Sequence, residues 1–280
     1  MRIADPRLAS VFLAGAHAEE PYLRSLAARG LGELRSPIHL GALRQLAGDS
    51  DPRVALQALR ALGLLGSGGA SAVVAQYLES PNLVLRHEAL TALAALPADP
   101  RWRSRVIENV GHADPWIRSA AWPALIRMDA DAVGLVLSTI GPDPDWRVRR
   151  AVAAAVAETG DNAAALLVPM LSDPDPRVLP GVLTAIARAR GSNAVPTLTG
   201  YLESPDLGIR AAAVEGLSSL EGTSDESFTR YFTRAYDASL KDDDLEARVN
   251  AVDAVAKSVG EESRTWLRRV AGSDPSRVVR

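Results

Sequence analysis

Residues 77–93 read YLESPNLVLRHEALTAL, and residues 201–217 read YLESPDLGIRAAAVEGL. The two stretches start 124 residues apart, and that spacing decides the fold. Leu85, the apolar residue before the Arg of VLR, serves as an anchor. With its counterparts it gives the series Leu23, Val54, Leu85, Ile117, Val148, Val178, Ile209, Ala247 and Val279, with steps of 31, 31, 32, 31, 30, 31, 38 and 32 residues. The quoted stretches are four steps apart. Self-similarity at a fixed period of this size marks a chain built from stacked supersecondary units.

Each unit carries the same physical pattern. Four residues past the anchor stands Ala27, Ala58, Ala89, Ala121, Val152, Val182, Ala213 or Ala251. Eight past it stands Leu31, Leu62, Leu93, Leu125, Val156, Ile186, Leu217 or Val255, so that anchor and followers form one stripe of a helix. Three residues before the anchor stand Glu20, Asp51, Asn82, Asp114, Asp145, Asp175, Asp206 and Asp244, mostly N-capping types. Pro52, Pro115 and Pro176 follow at the first helical position. Ahead of the caps lie further apolar segments such as AVVAQYL, AVGLVLSTI, AALLVPML and AVPTLTGYL, each read as the first helix of a hairpin. The 38-residue step arises in 224–244, where Phe228, Tyr231, Phe232 and Ala235 fall at helical spacing and lengthen a first helix by about two turns.

Composition agrees. The chain of 280 residues is 47% apolar but only 5% aromatic, which favours helices packed through Ala, Leu and Val. A hairpin of about 31 residues buries too little alone and must stack on its neighbours. The expected fold is all-α: a right-handed α-solenoid of about eight helical hairpins spanning 1–280 as a single array. A ninth unit opens at SDPSRVVR and breaks off at Arg280, which is read as part of a longer chain.

Units of the form DPxVRxxAxxAL resemble HEAT repeats, of the short type shared with phycobilisome-lyase-like proteins. The long Tyr-containing helix followed by DLEARVNAVDAV also resembles arrays that precede a cyclophilin-type domain in some bacterial peptidyl-prolyl isomerases. That resemblance implies an isomerase parent with this chain as its targeting or chaperone arm, although no residue here matches a cyclophilin active site.

The function classes narrow quickly. A net charge of -3 and a pI near 5.9 give no field that gathers nucleic acid. The apolar run LASVFLAGA is too short to span a bilayer and lacks a basic flank, so neither membrane insertion nor a secretory signal is expected, and a cytoplasmic location is favoured. The absence of cysteine removes disulfides, thiolate metal sites and a thiol nucleophile. No phosphate-cradling Gly loop, HExxH or GxSxG is present, so no cofactor and no catalytic residue is expected. His87-Glu88 is a lone pair among four histidines, without a second such pair to complete a metal site. His87 is read instead as a solvated surface residue. KDDDLE lacks the Gly and spaced oxygens of a calcium loop and is read as an acidic turn.

What remains is surface. Seven of the nine residues after the anchors are Arg, read as a ladder that bridges the acidic caps of its own or the next unit. Positions two and six past the anchors should face solvent on the inner side, running from Ser25/Arg29 and Leu56/Arg60 through Arg150/Ala154 to Ala211/Glu215 and Val249/Asp253, from basic to acidic. Trp116 and Trp146 sit beside caps, and with Arg118 and Arg150 they bring together the side-chain types that dominate binding hot spots. Arg29 and Arg60 are the next candidates. The expected function is a non-enzymatic scaffold that binds a protein or peptide. The isomerase arm is the alternative reading.

Overall fold

The computed structural model describes residues 6–129, 134–136, 142–220, 228–257 and 260–280. Among them are sixteen α-helices joined by turns and short 3-10 segments, with no strand. The second helices of the hairpins are α2 (Pro21–Glu33), α4 (Pro52–Leu65), α6 (Leu83–Ala95), α8 (Pro115–Met128), α9 (Trp146–Val156), α11 (Leu179–Arg190), α13 (Leu207–Ser218) and α15 (Leu245–Ala256). The first helices are α1 (Ala9–Gly15), α3 (Leu40–Ala47), α5 (Ser71–Val74), α7 (Arg103–Val110), α10 (Ala163–Leu167), α12 (Val195–Thr199), α14 (Thr229–Lys241) and α16 (Glu261–Ser273). This is an all-α solenoid. The chain divides into two compact units, Met1–Val152 and Ala153–Arg280.

In the first unit α2 packs on α4, α4 on α6 and α6 on α8, with α1, α3 and α7 each laid against the second helix of its own hairpin. In the second unit α11 packs on α13 and α13 on α15, while α10, α12 and α14 back them in the same way. The stripe read from the sequence is the core: every residue four and eight past an anchor is at most 3% exposed. Burying each Leu or Val among them contributes about 1.5–3 kcal/mol relative to exposure. The anchors from Val54 onward are buried as well, whereas Leu23 is 48% exposed.

The stacked helices come unusually close where glycine stands nine past the anchor. A Cβ on Gly32 would lie 2.6 Å from the Ala61 Cβ, and one on Gly63 would lie 3.1 Å from the Ala92 Cα. Glycine there lets one backbone approach the next.

The caps form as the sequence implies. Asp51 accepts the Arg53 N–H at 2.8 Å, Asn82 those of Val84 and Leu85, Asp114 that of Trp116, Asp145 that of Arg147, Asp206 that of Ile209 and Asp244 that of Ala247. Glu20 makes no such bond. Asp175 accepts from Arg177, but α11 starts only at Leu179. Pro180 has no N–H to offer the carbonyl of Pro176, so the helical ladder begins later than in the sister units.

The first helices depart from expectation in length. AVVAQYL becomes one short turn, Ser71–Val74, continued by a 3-10 segment Ala75–Tyr77; AALLVPML splits into Ala163–Leu167 and a 3-10 segment Val168–Ser172 around Pro169; AVPTLTGYL keeps only Val195–Thr199. Most of AVGLVLSTI lies outside the described residues. The lengthened first helix is confirmed at 13 residues for α14 against 8 for α3 and α7; residues 224–227 of that segment lie outside the description.

Candidate functional site

The Arg column folds back into the structure. Arg24 grips Asp49 with Nε and Nη2 at 2.6 and 2.9 Å and donates from Nη1 to the carbonyls of Ala18 and Glu19. Arg118 repeats this on Asp143 at 2.7 and 2.9 Å, with the carbonyls of His112 and Ala113. Arg210, almost wholly buried, donates to Asp242 and Asp244, and the Arg248 Nε lies 3.2 Å from Asp274. Arg86 uses the Asn109 side chain at 2.6 Å. The ladder expected from the sequence therefore exists, but it runs to the next unit's turn. Its usual acceptor is the residue two before the cap, which also takes the cap's own N–H, as Asp49 does from Asp51.

That register explains the gaps. Where the next turn offers Asp at this position (Asp49, Asp143, Asp173, Asp242, Asp274), the preceding column residue is Arg. Where it offers Ser80 or Ser204, the column residue is Ala55 or Leu179. In these seven turns Arg and Asp occur together or not at all; in the eighth, the position holds His112 and Arg86 turns to Asn109 instead. Arg118, with 13% of its side chain exposed, is committed to such a rung.

The solvent side of the second helices carries the rest. Positions two and six past the anchors are half-buried or exposed in all eight units. In the first unit, Trp116 on the first turn of α8 is 44% exposed, and its ring lies flat on His87 of α6 with centroids 4.0 Å apart and planes 13° apart. Next to it, Arg60 of α4 pairs with Glu88 of α6 at 2.9 Å. These contacts tie α4, α6 and α8 across the open face. On α9, Arg147 and Arg150 place their guanidinium carbons 5.7 and 5.5 Å from the Trp146 ring centre, a cation–π arrangement. Trp146 is half-buried, while Arg150 and Arg29 are exposed. Neither of these two arginines forms an ion pair among the described residues. Trp122 is 1% exposed and belongs to the core, and Trp102 donates its Nε1–H to Asp99.

His87 corrects the sequence reading. It is half-buried under Trp116 rather than freely solvated. Burial pushes its pKa down, the Arg60 charge pushes in the same direction, and Asp114 opposes both. The signal was in the register: a residue one before an anchor lies over the residue two past the previous anchor, the relation that also brings Gly208 against Pro180. A second feature escaped sequence reading altogether. Between α11 and α13, a cavity of about 470 Å³ opens among Thr184, Arg188, Glu215 and Ser219. Among the described residues no group of three or more His, Asp or Glu could hold a metal ion, and no helix is long and apolar enough to cross a membrane.

Paired helices in periodic stacks, most of them capped and rung-linked at their turns, define a helical-repeat protein. The chain belongs to the HEAT-repeat family, whose repeats match residues 9–94, 106–179, 131–218 and 164–239. Curated proteins provide no match. Among solved structures, the Escherichia coli protein YibA is similar over 94% of this chain and 94% of its own, at 16% identity and a TM-score of 0.55. The complex of CpcE and CpcF of phycocyanin lyase from Nostoc sp. PCC7120 aligns over 93% of this chain and 92% of that chain, at 20% identity and a TM-score of 0.45.

Proposed function

We propose that the protein is a non-enzymatic HEAT-repeat scaffold, one continuous array that holds a protein or peptide partner on the solvent side of its second helices. The observation that carries this reading is the patch on the first unit. Trp116 is exposed yet held in place by His87, and Trp146 is flanked by the guanidinium groups of Arg147 and Arg150; Arg29, exposed elsewhere on the same unit, adds positive charge. Pre-ordered aromatic and Arg side chains lose little entropy on binding and supply most of the energy in protein interfaces. The charge favours acidic groups in the part of the partner that meets this unit. Arg118 supports the patch from beneath by fixing the turn that precedes Trp146.

The test is partner capture from the native host with the wild type and with Trp116→Ala plus Trp146→Ala. Loss of the patch should weaken capture by about 2 kcal/mol or more, the scale of hot-spot residues, with helical content unchanged. Equal recovery of the same partner by the variant would remove this patch and leave Arg29, Arg60 and Arg150 as the surface to test. The alternative reading, an arm of a cyclophilin-type isomerase, is favoured by the long Tyr-bearing α14 followed by DLEARVNAVDAV. It places the same binding face in a larger chain.

A further inference from the structure

The hydroxyl groups that line the cavity of the second unit serve as acceptors. Thr184 spends its hydroxyl hydrogen on the Pro180 carbonyl at 3.1 Å, and Ser219 spends its own on the Gly216 carbonyl at 2.8 Å. A hydroxyl has one hydrogen, so both groups turn only lone pairs to the cavity. The backbone donors at the rim are used in the same way. The Gly191 N–H goes to the Ala187 carbonyl, that of Ser219 to Glu215 and Gly216, and that of Leu220 to Leu217. The Glu215 carboxylate lies exposed at the rim and forms no ion pair among the described residues. The positive charge at the rim, Arg188, is paired through Nη1 with Glu158 at 2.5 Å.

The surrounding backbone adds to this. The cavity sits at the C-terminal turns of α11 and α13, where the helix dipoles give negative potential. Its floor is apolar and narrow, made by Ala187, Gly216 and Leu220, all buried. A Cβ on Gly216 would stand 3.3 Å from the Ala187 Cβ, so the floor owes its shape to the missing side chain. Thr184 and Glu215 are the positions six past their anchors, which places the cavity on the binding side of the second helices.

We infer that this cavity receives a cationic side chain, lysine or arginine, of the bound partner, with the charged head on Glu215 and the hydroxyl oxygens and the aliphatic stem on Ala187 and Leu220. The inference rests on the scaffold reading and names the partner's chemistry at the second unit, a donor-only group entering a pocket whose hydroxyls and carboxylate present acceptors. Such groups carry several N–H donors and no acceptor, whereas a carboxylate or phosphate would find its donors only on Arg188, which already pairs with Glu158.

The test needs no partner. The full-length chain, labelled with ¹⁵N, is titrated with Nα-acetyl-arginine methylamide, the lysine analogue, the norleucine analogue and the glutamate analogue. Saturable amide shifts confined to Ala187, Gly216, Ser219 and Leu220 should appear with the two cationic probes only. Glu215→Gln, an exposed and nearly isosteric change, should weaken them roughly tenfold, as loss of a charged hydrogen bond would. Absence of saturable shifts, equal shifts from norleucine, or unchanged binding to Glu215→Gln would overturn the assignment. Failure here leaves the patch of the first unit untouched, and failure of partner capture at Trp116 and Trp146 leaves this titration unaffected.

Discussion

Arg24 and Asp49 keep only 17% and 10% of their side-chain surface in water, and they meet through two parallel charge-assisted hydrogen bonds. Such a pair is worth more than an exposed ion pair. A double-mutant cycle of Arg24→Ala and Asp49→Ala should show a favourable coupling; a coupling near zero would reduce the rung to a surface contact. The pair also sets a pH dependence. The hydrogen bond from Arg24 holds the Asp49 carboxyl below the usual range against the opposing effect of burial. The folded value lies below the unfolded one, so the rung contributes fully above about pH 4 and its contribution is lost as pH falls through the folded value. Asp49→Asn should therefore show a flatter loss of stability in acid than the wild type.

The opposite kind of residue is His87, where burial disfavours the charged form. Its imidazole should titrate by NMR below the ordinary value of about 6.5. Because the unfolded chain then binds the proton more readily, stability falls as pH drops through that value toward the folded one. Replacing Arg60 with Gln removes the positive neighbour and leaves Glu88 unpaired, and the midpoint should rise. An unchanged midpoint would mean that the Arg60 charge does not reach the ring.

At the scale of the helix, the close approach of α2 and α4 predicts a contrast between two glycines. A methyl group on Gly32 would meet the Cβ and Cα of Ala61 at 2.6 and 2.7 Å, and a backbone atom cannot step aside. Gly32→Ala should lower stability by about 1–3 kcal/mol from overpacking, outweighing the gain in helix propensity of about 1 kcal/mol. Gly41 of α3 has nothing within 4 Å, so Gly41→Ala should be neutral or stabilising. Thermal melts of the two variants check both, and equal behaviour would contradict the packing argument. The second helices were legible because cap, anchor and stripe recur together and local chemistry agrees with burial. The first helices were only half legible. Their apolar residues mark contact with the second helix, but Pro169 and Pro196 and the short spans between turns set how much of each segment is α-helix. The rungs were visible as an Arg column, yet their acceptors became clear only when the turn was seen to present the residue two before its cap.

Over the whole chain, repetition made the fold readable and left the function to the surface. A period of about 31 residues specifies what is buried, because each unit must match its neighbours; the solvent side carries no such constraint. Trp116 and Trp146 could be picked out by residue type, while the stack on His87 and the cavity beside Glu215 depend on which side chains neighbouring helices bring together. On the proposed function, the solvent side of the second helices is the working surface. Site-specific photo-crosslinking in the native host tests it most directly, with benzoylphenylalanine placed at Arg29 or Thr91 on α2 and α6, and at Arg44 or Glu108 on α3 and α7, all exposed. A discrete partner adduct is expected from Arg29 and Thr91 and none from Arg44 and Glu108; adducts formed only from the first-helix positions would place the working surface on the other side.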